Sequence, residues 1–140
     1  MCATNPHLAM STVRPAVSVP GVLASFNETW SQRLVASINL EYEMKVAKLQ
    51  GGFVFHAHHD TDEVFYVLSG AVTIEFQGVD VDKVLLNKGD LFVVPRGVQH
   101  RPVVEDGIAE VLIIEKAGVI NTGDAVGAEH LRKGVADARE

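Results

Sequence analysis

From residue 53 onward the chain delivers strand after strand with no helix between them. "FVFHAH", "EVFYVLSG", "AVTIEFQG", "DKVLL", "DLFVV" and "AEVLIIE" are each five to eight residues long and rich in β-branched and aromatic side chains. Turn signals separate them at Ser69-Gly70, Gln77-Gly78, Asn87 to Asp90, Pro95 to Gly97 and Asp106-Gly107. Upstream, "RLVASI" is β-branched and apolar, and "EYEMKVAKL" alternates Tyr42, Met44 and Val46 against Glu43 and Lys45, as a half-buried strand does. Parallel strands need a crossover of a dozen or more residues, usually a helix, and no amphipathic stretch is available here. The expected fold is therefore all-β, a small antiparallel barrel or sandwich.

With 140 residues, 47% of them hydrophobic and 21% charged, the chain is long enough for one domain with a real core and too short for two ordinary ones. The first 20 residues hold Pro6, Pro15 and Pro20 among small and polar side chains and read as a flexible arm. Residues 21–116 form the barrel domain, and residues 117–140 an extension. In that extension "KAGVINTGD" is turn-rich. "AVGAEHLRKGVADARE" is helix-compatible with a poor apolar face, so a short terminal helix and a disordered tail both fit.

A net charge of −6 and scattered Lys and Arg argue against nucleic acid, whose phosphates need a basic patch. One cysteine, Cys2 in the arm, gives neither an intramolecular disulfide nor a thiolate cluster, which fits a reducing cytosol. No apolar run reaches the roughly 18 residues of a membrane span, and the N-terminus has no basic leader, so a soluble cytoplasmic protein is expected.

Chemistry concentrates in "FHAHHDTDEVFYVLSG", residues 55–70. If residues 53–58 are a strand, His56 and His58 project from one face and His59 from the other. Glu63, five residues after His58, opens the next strand and can turn back beside them. Two histidines and a carboxylate with open positions suit a catalytic first-row metal. The competing reading is a solvated acidic turn, "HHDTDE", in which Asp60 and Asp62 bond nearby backbone. Composition alone does not separate the two. Further on, "GDLFVVPRGVQH" ends a strand at a proline turn and delivers His100 into the following extended run.

These two stretches resemble the paired signature motifs of the cupin superfamily, small jelly-roll barrels that hold a metal on their inner face. In the first, His56, one residue, His58, four residues, Glu63, six residues and Gly70 all match in spacing; in the second, Gly89, Pro95, Gly97 and His100 do. The similarity spans about residues 34–116 and is nearest to stand-alone, isomerase-like members, the downstream "GVINTGD" included. It implies a jelly-roll barrel with His56, His58, Glu63 and His100 as ligands of one divalent ion, iron, manganese, zinc or nickel. The sequence departs from the family pattern twice. The glycine that opens the first motif is expected with five residues between it and His56, a position held here by Gln50; Gly51 and Gly52 leave four and three residues between. Val104 occupies the place of the asparagine that ends the second motif, which makes that part of the inner face more apolar.

The resemblance implies a metal-dependent enzyme on a small organic molecule, by isomerase, cyclase or dioxygenase chemistry. The alternative is a non-catalytic, metal-stabilised module that binds or senses a small ligand. No nucleophile elbow, phosphate-cradling glycine loop or cysteine near the histidines offers another chemistry. Gln99, with Arg96 and Arg101, is expected at the barrel mouth. Apolar side chains on both faces of "EVFYVLSG" suggest an inter-sheet or inter-subunit position, and a homodimer through the 30–50 region is expected.

Overall fold

The computed structural model describes residues 13–139. A short helix, α1 (Val19–Ala24), precedes the strands β1 (Arg33–Ile38), β2 (Tyr42–Gly52), β3 (Glu63–Ser69), β4 (Ala71–Gln77), β5 (Lys83–Asn87), β6 (Leu91–Val94) and β7 (Gln99–Lys116). A 3-10 turn (Glu129–Leu131) and a two-residue strand, β8 (Ala136–Asp137), complete the chain. The main path of the sheet runs β5-β4-β7-β2-β1-β8, and β3 branches from β7 to pair with β6. All pairings are antiparallel except β1 with β8. The result is the all-β jelly-roll architecture expected of a cupin, with its sheet not closed on itself.

Strand β7 organises the barrel because it pairs with three neighbours. Its first part faces β4, from Gln77↔Gln99 to Thr73↔Val103, and its last part faces β3, from Ser69↔Glu110 to Val64↔Ile114. Strand β2 runs along its other side throughout. Asp106-Gly107, read from sequence as a turn between two strands, does not end the strand. Residues 105–108 are an exposed bulge inside β7, since Val104 pairs with Gly51 and Ala109 with Leu49. The extra residues are expelled while the ladder resumes in the same direction.

A period-2 pattern fills the interior. Ala47 and Leu49 of β2, Phe65 and Val67 of β3, Val72 and Ile74 of β4, and Val104, Ala109, Val111 and Ile113 of β7 form one buried cluster. Burying the Val, Leu, Ile and Phe side chains among them stabilises by roughly 1.5–3 kcal/mol each. A second cluster lies outside the barrel wall, where Leu23 of α1 packs with Phe26, Val35 and Val46. Ser18 caps that helix, its Oγ accepting from Gly21 N at 3.1 Å, and Pro20 sits in the first turn, where its missing N–H does no harm.

Strand β2 is consequently covered on both sides, and this corrects the sequence reading of its faces. Val46 does face an apolar layer, but Lys45, assigned there to the polar face, points into the barrel and is fully buried, in phase with Ala47 and Leu49. Tyr42 is 40% exposed. At Gly70, between β3 and β4, φ is +75° and a Cβ would stand 3.1 Å from the Ala109 backbone, so the motif glycine is fixed by the close approach of β7.

Candidate metal centre

Four side chains converge inside the barrel: His56 and His58 from the segment after β2, Glu63 from the first position of β3, and His100 from the second position of β7. One ligand atom from each lies within 4.8 Å of all the others, and all four residues are buried. Residues 53–58 are not a strand, contrary to the sequence expectation. The segment leaves the β2–β7 ladder after Gly52 and touches β7 again through one isolated bridge, His56↔His100, with both backbone hydrogen bonds made. His56 and His58 nevertheless both turn inward. His59 turns outward, its side chain 65% exposed.

The ring orientations follow from the backbone. His56 Nδ1 lies 2.8 Å from Val54 O, and His100 Nδ1 lies 2.9 Å from Val98 O. A carbonyl only accepts, so each Nδ1 carries the hydrogen, and in the neutral ring each Nε2 presents its lone pair to the centre. Burial lowers the pKa of His56 and His58 to about 4, with neighbouring charges a smaller influence, and burial lowers that of His100 as well. These imidazoles are neutral at physiological pH, the form that binds metal.

Glu63 moves the other way: burial raises its pKa to about 7. Its Oε1 is 2.9 Å from His100 Nε2. Because His100 has committed its Nδ1–H to Val98 and resists a second proton, the proton in this contact belongs on Glu63 below about pH 7. A cation held by Glu63 would have to displace that proton.

A fifth ionisable residue adjoins the cluster and was not anticipated from the sequence. Glu115 is fully buried, its Oε1 accepting from Lys45 Nζ at 2.8 Å and its Oε2 lying 3.8 Å from His58 Nε2. Burial, reinforced by the nearby Glu63 carboxylate, raises its pKa to about 8. Strand parity carried the signal: Glu115 continues the inward series Ala109, Val111, Ile113, and Lys45 continues Leu49, Ala47. The atoms His58 Nε2 and Glu115 Oε2 are both buried and lack a hydrogen-bond partner. Such orphans are rare in native interiors unless an ion or water meets them. Three imidazoles, one of them with its Nε2 unsatisfied, and a carboxylate fit a divalent first-row cation.

Beside the cluster is a cavity of about 30 Å³ whose walls include Trp30, Leu49, Phe53, Phe65 and Ile113, with His56 and Glu63 also lining it. Trp30 and Phe53 stack there with ring centroids 4.7 Å apart. The segment after β7 covers this end of the barrel. Asp124 Oδ1 accepts from Ala57 N at 2.7 Å, and Oδ2 meets His59 Nε2 at 2.9 Å and Gln99 Nε2 at 3.0 Å. Although partial desolvation opposes it, these hydrogen bonds together lower the Asp124 pKa. Gln99 thus serves the C-terminal cover through Asp124. Arg101 faces outward, paired with Glu75 at 2.7 Å and lying over Phe55. Asp62 steadies the loop before β3 by accepting from Arg96 N at 2.9 Å. Val104 is buried in the core, 3% exposed, as parity predicts.

The cupin domain profile matches residues 42–115, more than half of the chain. The chain belongs to the cupin family. It is 36% identical to a cupin-2 domain-containing protein of Shewanella frigidimarina, with a TM-score of 0.66 covering 71% of this chain and 93% of that one. It is 31% identical over 91 residues to the uncharacterized protein YdbB of Bacillus subtilis, covering 59% of this chain and 78% of that protein. A shorter match, 38% over 63 residues, joins 43% of this cupin to 33% of an acireductone dioxygenase of Phaeosphaeria nodorum. The hydroquinone 1,2-dioxygenase PnpCD shares the fold, with a TM-score of 0.60 at 22% identity over 74% of each chain. Among the described residues no helix is long and apolar enough to cross a membrane.

Proposed function

We propose that this cupin is a metal-dependent enzyme acting on a small organic molecule, with one divalent ion held by His56, His58, Glu63 and His100. The observation that carries the reading is the buried convergence of four candidate ligand atoms within 4.8 Å, two of their residues, His56 and Glu63, lining a mostly apolar cavity. A bound ion there would supply Lewis acidity, or redox chemistry if it is iron or manganese, for an isomerase, cyclase or dioxygenase type of reaction. The chain's own residues do the remaining work. Val54 and Val98 carbonyls orient two imidazoles, Trp30, Phe53 and Phe65 exclude water, and the segment around Asp124 closes one end. The dioxygenase named among its relatives makes oxygen chemistry one member of this class.

A second reading, a non-catalytic module that binds or senses a small ligand, has its own support. Apart from His56 and Glu63, the cavity lining contains no side chain able to act as nucleophile or acid, only the neutral amides of Gln32 and Asn121 among apolar residues. In either reading the partner is a small molecule and not nucleic acid or a membrane, and the setting is the cytoplasm. A homodimer through the β1–β2 hairpin is supported by Ile38, Leu40 and Tyr42, each at least 40% exposed.

Element analysis of protein purified anaerobically tests the metal and its class: iron points to oxygen chemistry, zinc or nickel to Lewis-acid chemistry. His58→Ala and His100→Ala are each expected to lose stoichiometric metal, and full retention in either would defeat the assignment. An enzyme loses turnover when stripped and regains it with one particular ion. A binding module changes ligand affinity with no turnover at all.

A further inference from the structure

Besides His56 and Glu63, the cavity beside the centre has three side chains with polar atoms in its walls: Trp30, Gln32 and Asn121. Two of them are already committed. Trp30 Nε1 donates to Gln50 O at 3.0 Å, and the Asn121 amide donates to Leu131 O at 3.0 Å while its oxygen accepts from Lys133 N at 3.3 Å. Gln32 differs from both. Its backbone carbonyl accepts from Ala136 N at 3.2 Å, but no hydrogen bond to a described residue involves its carboxamide, and Oε1 is buried without a partner. The residue as a whole is 8% exposed.

A buried amide that makes no hydrogen bond costs the fold free energy, and native interiors keep one where water or a ligand completes it. Water held at Gln32 would need roughly two to four polar partners, and apart from the centre itself the surrounding wall is apolar or committed. Two residues earlier Trp30 has φ +59°, a conformation that a bulky side chain keeps only where its surroundings hold it, and its ring stacks on Phe53 in the same wall. We infer that Gln32 is the residue that recognises the ligand of this cavity, and that the ligand is a small neutral molecule with an apolar part against Trp30 and Phe53 and a hydroxyl, carbonyl or amide group on the Gln32 carboxamide. A carboxamide both donates and accepts, so it serves any of these groups. An anionic end does not suit the cavity, which is lined by Glu63 and by no Lys or Arg. With about 30 Å³ of space, the cavity takes one end of such a molecule, a few non-hydrogen atoms. The inference deepens the proposed function and rests on it for the other end of the ligand, which belongs at the metal centre. Gln32 precedes the residues 42–115 that match the cupin profile, so the recognition is this chain's own.

The test uses acetamide and acetate, which match in shape and differ in charge. Each is titrated into the full chain as purified and after chelation, and the fluorescence of Trp30, the chain's one tryptophan, reports occupancy. Acetamide is expected to give a saturable change in both preparations, and acetate none in the chelated one, where no metal holds it. Gln32→Met, unbranched and of similar length, is expected to weaken acetamide roughly 3–10-fold, the usual effect of losing one neutral hydrogen bond. Since that variant removes a buried amide without partners, its thermal midpoint in the absence of ligand is expected to equal or exceed that of wild type. Gln32→Leu is a second apolar replacement, which separates a packing defect of Met from a role of the amide in the fold. A midpoint lowered in both variants overturns the inference, because the amide would then be part of the scaffold. So does wild-type acetamide affinity in the variants, or the absence of a saturable change with acetamide in wild type. Because these readings are also taken on chelated protein, their failure removes the role of Gln32 and leaves the metal centre to be judged by element analysis.

Discussion

Metal affinity should depend on pH through Glu63 and not through the histidines. The ligand form of Glu63 is the carboxylate, yet burial raises its pKa to about 7, so below that pH a cation must displace a proton. The ionised fraction of a group with that pKa falls about 25-fold between pH 7.5 and 5.5, equivalent to about 2 kcal/mol of apparent binding energy. His56 and His58, lowered to about 4, add nothing over this interval and steepen the dependence only below about pH 5. Calorimetric titration in buffers of different ionisation enthalpy is expected to show about one proton released per ion at pH 6. A flat profile with no proton released, or a midpoint near 6.5 with two or more protons, would refute the reasoning. The latter would mean that the imidazoles titrate as if exposed.

The same shifts govern the metal-free fold, with opposite signs for the two kinds of ligand. Glu63 has a folded pKa above its unfolded value of 4.5, so its contribution to stability is present below 4.5 and is lost as pH rises through about 7; Glu115 behaves alike through about 8. The histidines, lowered from 6.5, contribute above 6.5 and lose that contribution as pH falls through about 4. Taken alone, the Glu63 shift amounts to about 3 kcal/mol. Above pH 7, where the histidine contribution is complete, the thermal midpoint of chelator-treated protein is therefore expected to fall up to pH 8.5, and added divalent metal to recover most of the loss. A midpoint that rises across that interval without metal would contradict the burial assigned to both carboxyls.

Two further substitutions separate the site from the scaffold. Gly123 has φ +51°, and a Cβ there would collide with Ala57 O and reach His56 Cδ2, so Gly123→Ala should displace the C-terminal cover at a cost of roughly 1–3 kcal/mol and weaken metal binding in calorimetry. Wild-type affinity in that variant would show that the cover does not help place His56. Ile74→Ala, in the fully buried interior of β4, is expected to destabilise by about 2–5 kcal/mol in urea titration while retaining metal stoichiometry in the fraction that stays folded.

What was legible in the sequence was whatever depended on local spacing. The strands of the barrel and most turn glycines follow from short-range pattern, the set His56, His58, Glu63 and His100 follows from the resemblance to the cupin motifs, and the structure brings those four residues to one point. The reasoning that linked the two histidines was less sound than its outcome, because residues 53–58 form no strand and strand parity does not apply to them. Their convergence comes from long-range backbone contacts that no local pattern contains: the bridge of His56 to His100, 44 positions away, and the hydrogen bonds of Ala57 to Asp124 and of Gly97 N to His58 O. Lys45 was misread for a related reason. Alternation along β2 separates two faces without saying which is wet, and α1 covers the side that would otherwise be open. With both faces buried, a lysine can point inward only if an acidic group meets it, and Glu115 does so from 70 residues away. The inward series Ala109, Val111, Ile113 already placed Glu115 at that depth, so a buried acid on one strand should have prompted the search for a buried base on its neighbour. In a barrel with a charged interior, parity locates a polar residue correctly, and its partner, not its own polarity, decides whether it belongs inside.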